Sequence, residues 1–195
     1  MSAQFLSRVG ILTAVALAFT IATPAQASIL FGPAVRYETL KTTDNGTGFA
    51  GGTNDSNQLV GDMHVGLLIE GTPVYIGGLY SYEAYKMTSS NSFKGSSYGA
   101  SVGYYSGALS LIGTYIIGGD RTYTNVNQDS KLSGGSGYRI DFAYVAGLTP
   151  AIGFGPQLTY QSIKYSKSQL FGSAETSNSF EVTSFTPGVV MWFRF

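Results

Sequence analysis

Six ionisable residues of this chain fall in three pairs two positions apart. Arg36-Tyr37-Glu38, Asp62-Met63-His64 and Arg139-Ile140-Asp141 each place two charges or potential charges at i and i+2, and Glu83 stands in the tyrosine-rich stretch YSYEAYK. On a β-strand, residues i and i+2 share a face, so each pair can act together. A carboxylate beside an imidazole is the raw material of general acid–base chemistry. His64 is the only histidine, however, and no HExxH or His-x-Ser spacing surrounds it. One histidine excludes a His-rich metal site, and the absence of Cys removes thiol, disulfide and Cys-ligand chemistry. Asp44, Asp55, Asp120 and Asp129 lie among Gly, Asn and Ser, but without the D-x-D-x-D-G spacing of a calcium loop. The expectation is therefore no catalytic residue, no metal and no cofactor. Arg36, Glu38, Asp62, His64, Glu83, Arg139 and Asp141 read instead as one enclosed polar cluster whose members must pair with each other, because an unpaired buried charge is costly.

Enclosing such a cluster takes strands, and the chain supplies them. In QLVGDMHVGLLIE the odd positions from Leu59 to Ile69 are apolar while Gln58, Asp62, His64 and Glu70 fall on even ones; in SGYRIDFAYVAGL, Tyr138, Ile140, Phe142, Tyr144, Ala146 and Leu148 oppose Arg139 and Asp141. Period two recurs over 29–40, 58–70, 73–87, 96–106, 108–120, 136–148, 151–166 and 180–195, and no sustained helical spacing appears. Tight turns (GT, SGA, TP) follow the second, fourth and sixth runs. The other links, such as TTDNGTGFAGGTNDSN and GGDRTYTNVNQDSKLSGG, read as long loops. This is an eight-stranded antiparallel up-and-down meander, all-β, with short turns at one end and long loops at the other.

The composition decides which face is outside. Charged residues make up only 11% of the chain, against 26 Gly, 14 Tyr and 12 Phe, too few to solvate a surface of this size. A formal net charge of zero gives no field for nucleic acid. The apolar face is free of charge until Lys41, Lys86, Arg121, Lys164 and Glu181 near the long-loop end. Tyr37, Tyr80, Tyr82, Tyr98, Tyr138, Tyr160 and Phe185 gather towards that end, and Phe31, Tyr104, Phe154, Phe193 and Phe195 towards the other. Two aromatic girdles around an uncharged band are the pattern of a transmembrane β-barrel. The segment 1–27 reads as a cleaved signal peptide: Arg8, the apolar run ILTAVALAFTIA, then Ala25-Gln26-Ala27. It leaves residues 28–195 as the barrel domain, with ten basic and eleven acidic residues, since only Arg8 of the eleven basic ones is removed.

The last residues, VVMWFRF, alternate Val189, Met191, Phe193 and Phe195 on one face and end on Phe. This resembles the carboxy-terminal signal read by the barrel-assembly machinery of Gram-negative bacteria. The whole of residues 28–195 resembles the small eight-stranded outer-membrane proteins of the OmpA, OmpX and OmpW type. That resemblance implies a cell outer-membrane location, with outer-membrane lipid, lipopolysaccharide and the assembly machinery as partners and an extracellular partner left open.

The expected function is non-enzymatic: a small closed barrel with a plugged polar lumen and extracellular loops, serving envelope structure or surface interaction. An alternative is a transporter of small hydrophobic molecules, with Leu30, Val60, Leu79, Ile112, Ile116, Val145 and Trp192 lining a partly apolar lumen that opens sideways near Pro33, Pro156 and Pro187. A lipid A-modifying enzyme ranks last, since His64 reads as luminal. Lys41, Lys86, Arg121 and Lys164, all on the outward face, suggest a cationic belt for lipopolysaccharide phosphates.

Overall fold

The computed structural model describes residues 27–43, 56–86, 91–125, 128–169 and 172–195; within the strands the side chains at 39–43, 56–58, 85–86, 91, 125, 128 and 178 are not described. The strands are β1 (Ala27–Thr43), β2 (Ser56–Ile69), β3 (Val74–Lys86), β4 (Asn91–Tyr105), β5 (Leu109–Asn125), β6 (Gln128–Tyr144), β7 (Ala146–Thr149), β8 (Ile152–Gln169) and β9 (Thr176–Arg194). After Val145, β7 continues the line of β6, and both pair with β8, so the sheet has eight staves. All pairings are antiparallel between chain neighbours, and β1 pairs with β9, which closes the barrel. The final residue takes part in that closure: the N–H of Phe195 donates to the carbonyl of Ile29 at 3.0 Å, and the N–H of Ile29 donates back to Phe195 at 3.0 Å. The expected carboxy-terminal face is outward, with Phe195 75% exposed and Val189 44%.

Inside and outside alternate as the period-two pattern requires. Ile29, Val35, Tyr37, Leu59, Met63, Val102, Tyr138, Ile140, Phe142 and Leu158 are exposed on the outer face, while every described charged side chain of the mid-strand polar cluster is buried. The strands are longer than expected at the long-loop end. Most of GGDRTYTNVNQDSKLSGG is not a loop: β5 runs to Asn125 and β6 resumes at Gln128. Gly, Ser and Asn make that stretch look like a linker, but it is held in a ladder from Arg121–Leu132 to Asn125–Gln128.

The prolines lie where a ladder lapses. The β1–β9 pairing holds one register but passes over residues 32–33, and again over 37–40 opposite 184–187. Pro33 and Pro187 fall in those intervals. Pro156 lies one residue past the end of the β6–β8 ladder at Ala143–Gln157. A residue without an N–H is tolerated where no ladder bond is asked of it.

Candidate functional site: the luminal ionic layer

The lumen is stacked in layers. At the short-turn end Leu30, Ala34, Leu68, Tyr75, Tyr105, Ile112, Ala143, Val145, Val190 and Trp192 form one apolar cluster. Nearer the long-loop end Leu79, Ile116, Leu132, Ile163, Tyr165, Phe180 and Val182 form another. Between them lies an ionic layer, drawn two residues at a time from the inward faces of the strands.

Two guanidiniums organise that layer. Arg36 of β1 donates from Nε to Asp62 Oδ2 at 2.8 Å, from Nη1 to Glu38 at 3.2 Å and from Nη2 to Gln161 at 3.2 Å. Arg139 of β6 grips Asp141 through Nε (2.8 Å) and Nη2 (2.7 Å), and its Nη2 also donates to Asp62 at 2.7 Å. Asp62 thus bridges both arginines. Neutral donors occupy the remaining carboxylate lone pairs: Ser81 on Asp62 at 2.6 Å, Gln157 and Thr159 on Asp141 at 2.8 and 2.6 Å, Gln161 and Ser184 on Glu38. Such saturation allows a charge layer to persist away from water.

His64 sits at the lower boundary of this layer. It is fully buried, its ring centroid lies 5.6 Å from that of Trp192, and its nearest acid is not Asp62 but Asp141, with Nε2 to Oδ2 at 3.5 Å. Asp62, two residues away on the same strand, is already held by Arg36, Arg139 and Ser81. At 3.5 Å the imidazole contact is too long for a firm hydrogen bond, and no serine is aligned as its nucleophile in any contact the structure shows. The two G-x-S-x-G runs, Gly95–Gly99 and Gly99–Gly103, lie wholly within β4, without the strand-to-helix turn that a nucleophile elbow requires. Among the described residues no group of three or more His, Cys, Asp and Glu could hold a metal.

Arg121 corrects one expectation. Instead of facing outward with Lys41, Lys86 and Lys164, it lies inside, 4% exposed, forked on Glu83 with Nε to Oε1 at 2.6 Å and Nη2 to Oε2 at 2.9 Å. Its guanidinium carbon stands 5.4 Å from the Phe93 ring centroid and 5.8 Å from that of Tyr165. The cause is a β-bulge. Tyr98 pairs with Gly118 but Gly99 pairs with Ile116, so Ile117 is an extra residue that moves every later β5 side chain to the opposite face. Counting in twos from Ile112 cannot foresee it. Gly134, with φ of +67°, offsets the facing strand β6 in the same way.

Arg121 therefore does not belong to the outward-facing set expected with Lys41, Lys86 and Lys164. Lys164 is exposed and stands opposite Glu181, whose carboxylate accepts a hydrogen bond from Ser162 at 2.7 Å. The side chains of Lys41 and Lys86 lie outside the described residues. Higher on β8, Lys167 pairs with Glu175 at 2.8 Å in solvent; their hydrogen bond lowers the Glu175 pKa and raises that of Lys167. The candidate lumen residues Val60, Leu79, Ile112, Ile116, Val145 and Trp192 are all buried, and the space left beside Arg36, Ser81, Glu83 and Arg121 amounts to about 10 Å³.

Comparison with solved structures bears on this geometry. Neisserial surface protein A matches with a TM-score of 0.54 at 16% identity over 87% of this chain and 99% of that one. The fold is that of the small outer-membrane barrels. Ail, the attachment invasion locus protein of Yersinia pestis, matches with a TM-score of 0.50 at 12% identity over 86% of this chain and 98% of its own. No family model and no curated protein matches in sequence. At such identities the likeness of this outer-membrane-type barrel to the other two lies in the strand framework, and the side chains of its lumen stand on their own geometry.

Proposed function

We propose that the chain is an integral outer-membrane protein that inserts as a closed, non-conducting barrel and serves envelope structure or surface interaction through the loops beyond its girdle. The carrying observation is the sidedness of the wall. From Ile29 to Tyr37, nine residues of β1 place only apolar side chains and Pro33 outward, and at roughly 2.5 Å of climb per tilted residue this covers about 22 Å, close to the apolar band of a barrel in a membrane. A polar layer enclosed by such a wall is the reverse of a water-soluble barrel.

Closure is supported by the lumen contents. The cleft in the ionic layer beside Arg36 and Arg121 holds about 10 Å³, room for roughly one water molecule, whereas the wider space of about 320 Å³ lies at the short-turn mouth beside Leu68, Tyr105 and Arg194. The alternative of an apolar transport path has less support, because the apolar lumen residues divide into two clusters with the arginine layer between them. Behind the lapsed β1–β9 ladder stand Glu38, Ser184 and Thr186, a polar lining rather than an exit for apolar solutes.

Planar-bilayer recording of the refolded barrel tests this reading. The wild type is expected to show no single-channel steps, whereas Arg36→Ala, which removes the link between Glu38 and Asp62, is expected to admit water and small ions. Regular steps from the wild type would overturn the closed-barrel reading.

A further inference from the structure

Above the outer girdle, three strands bring two lysines and a hydroxyl into one cross-strand row. Lys94 of β4 pairs with Thr122 of β5, and Thr122 pairs on its other side with Lys131 of β6. All three face outward, since their chain neighbours Arg121 and Leu132 are buried in the lumen and both lysines are exposed. Two strand spacings separate the lysine backbones by about 10 Å, with the threonine midway. Each ammonium can therefore reach the point above the hydroxyl from its own side.

Neither lysine has an ion pair within 4 Å among the described residues, in contrast to Arg121 and Lys167 in the same tier; Glu175, held by Lys167 at 2.8 Å and by Ser133 at 3.3 Å, is the one acid among them whose carboxylate feels the charge of Lys131. The nearest acids in register lie outside the row. Asp120 sits one outward position lower on β5, where its Oδ1 accepts from Ser96 at 2.8 Å, and Asp129 sits one higher on β6, opposite Thr124. The row lies four residues beyond the girdle tyrosine Tyr98, about 10 Å higher at a typical strand tilt.

We infer that Lys94, Thr122 and Lys131 bind a phosphate monoester, the lysines each contributing a charge-assisted N–H···O contact and Thr122 an O–H···O contact. The inference rests on strand register and on the exposure and pairing of the two lysines, and is independent of whether the lumen conducts. Only the source of the phosphate, the headgroup of an outer-leaflet glycolipid or a soluble phosphate ester, depends on insertion in the outer membrane.

Native mass spectrometry of the refolded full barrel with bisphosphorylated lipid A, its dephosphorylated form and glucose 1-phosphate separates the outcomes. Lipid retention is expected to fall about tenfold in K94Q/K131Q and severalfold in T122V, to survive in K94R/K131R, and to be weak for dephosphorylated lipid A in every variant. Persistence of lipid binding against millimolar glucose 1-phosphate assigns the site to the headgroup; full displacement assigns it to a soluble ester. Equal retention by K94Q/K131Q and wild type, or equal binding of the dephosphorylated lipid, would overturn the site. All these positions are on the outer surface, and heat-modifiable gel mobility checks that each variant has folded.

Discussion

Arg139→Met offers the sharpest probe of the ionic layer. The guanidinium is fully enclosed and donates to Asp141, Asp62 and Ser81. Methionine fills much of the same space but leaves Asp141 with only Gln157, Thr159 and the distant His64, while Asp62 keeps Arg36 and Ser81. Removing one partner of a buried ion pair costs about 3–5 kcal/mol, a large share of the roughly 5–15 kcal/mol that holds a domain folded. Asp141→Asn alone exposes the opposite fault, an arginine balanced only by Asp62. In Arg139→Met/Asp141→Asn both charges leave together, so the double variant is expected to fall short of the summed single losses by about 1–3 kcal/mol. Urea titration of vesicle-inserted protein, followed by emission of Trp192, measures this directly. That indole is the only tryptophan, is 2% exposed, and touches the layer through His64. A single-variant loss under about 1 kcal/mol, or additivity within about 0.5 kcal/mol, would refute the claim that these groups form one coupled unit.

Other consequences can be checked with the same preparation. A Cβ on Gly32 would stand 2.3 Å from Trp192 Cζ3, so Gly32→Ala is expected to cost about 1–3 kcal/mol and to shift the tryptophan emission, because His64, Tyr75 and Tyr105 leave the ring little room to retreat. The chain has no Cys, so single-cysteine variants label without background: in intact cells K94C is expected to react with a membrane-impermeant maleimide and R121C to resist it, and equal reactivity would refute the bulge at Ile117. Deleting Phe195 removes two closing backbone hydrogen bonds and is expected to cost about 1–3 kcal/mol in urea titration, whereas Phe195→Ala keeps them and is expected to cost less than half as much.

The strand plan was legible because two neighbouring physical demands agree at every second residue. Lipid outside and a crowded lumen inside leave little freedom at Tyr138, Arg139, Ile140 and Asp141, and such alternation survives without any motif. The alternation puts Arg121 on the wrong face because a bulge adds one residue without a distinctive sequence: Ile116-Ile117-Gly118-Gly119 reads equally well as unbroken strand or as its end. Lys94 and Lys131 do not stand out in the sequence for a related reason. Both lie where Ser, Gly and Asn dominate, a composition that signals turn locally but is overridden here by neighbouring strands already in register. Nor could sequence alone single out Ser81, Gln157, Thr159 and Ser184 among the many Ser and Thr. Their part depends on which carboxylate the closed sheet brings against them.

The ionic layer takes its members from β1, β2, β3, β6, β8 and β9, so no hairpin contains it and no partly curled sheet can complete it. A chain that closes with one ribbon slipped by a single residue turns arginines and aspartates towards hydrocarbon. The layer thus acts as a checksum on closure, rewarding the one arrangement in which all ribbons agree. Its inheritance should follow suit: a change of charge in one ribbon survives when a distant ribbon changes with it.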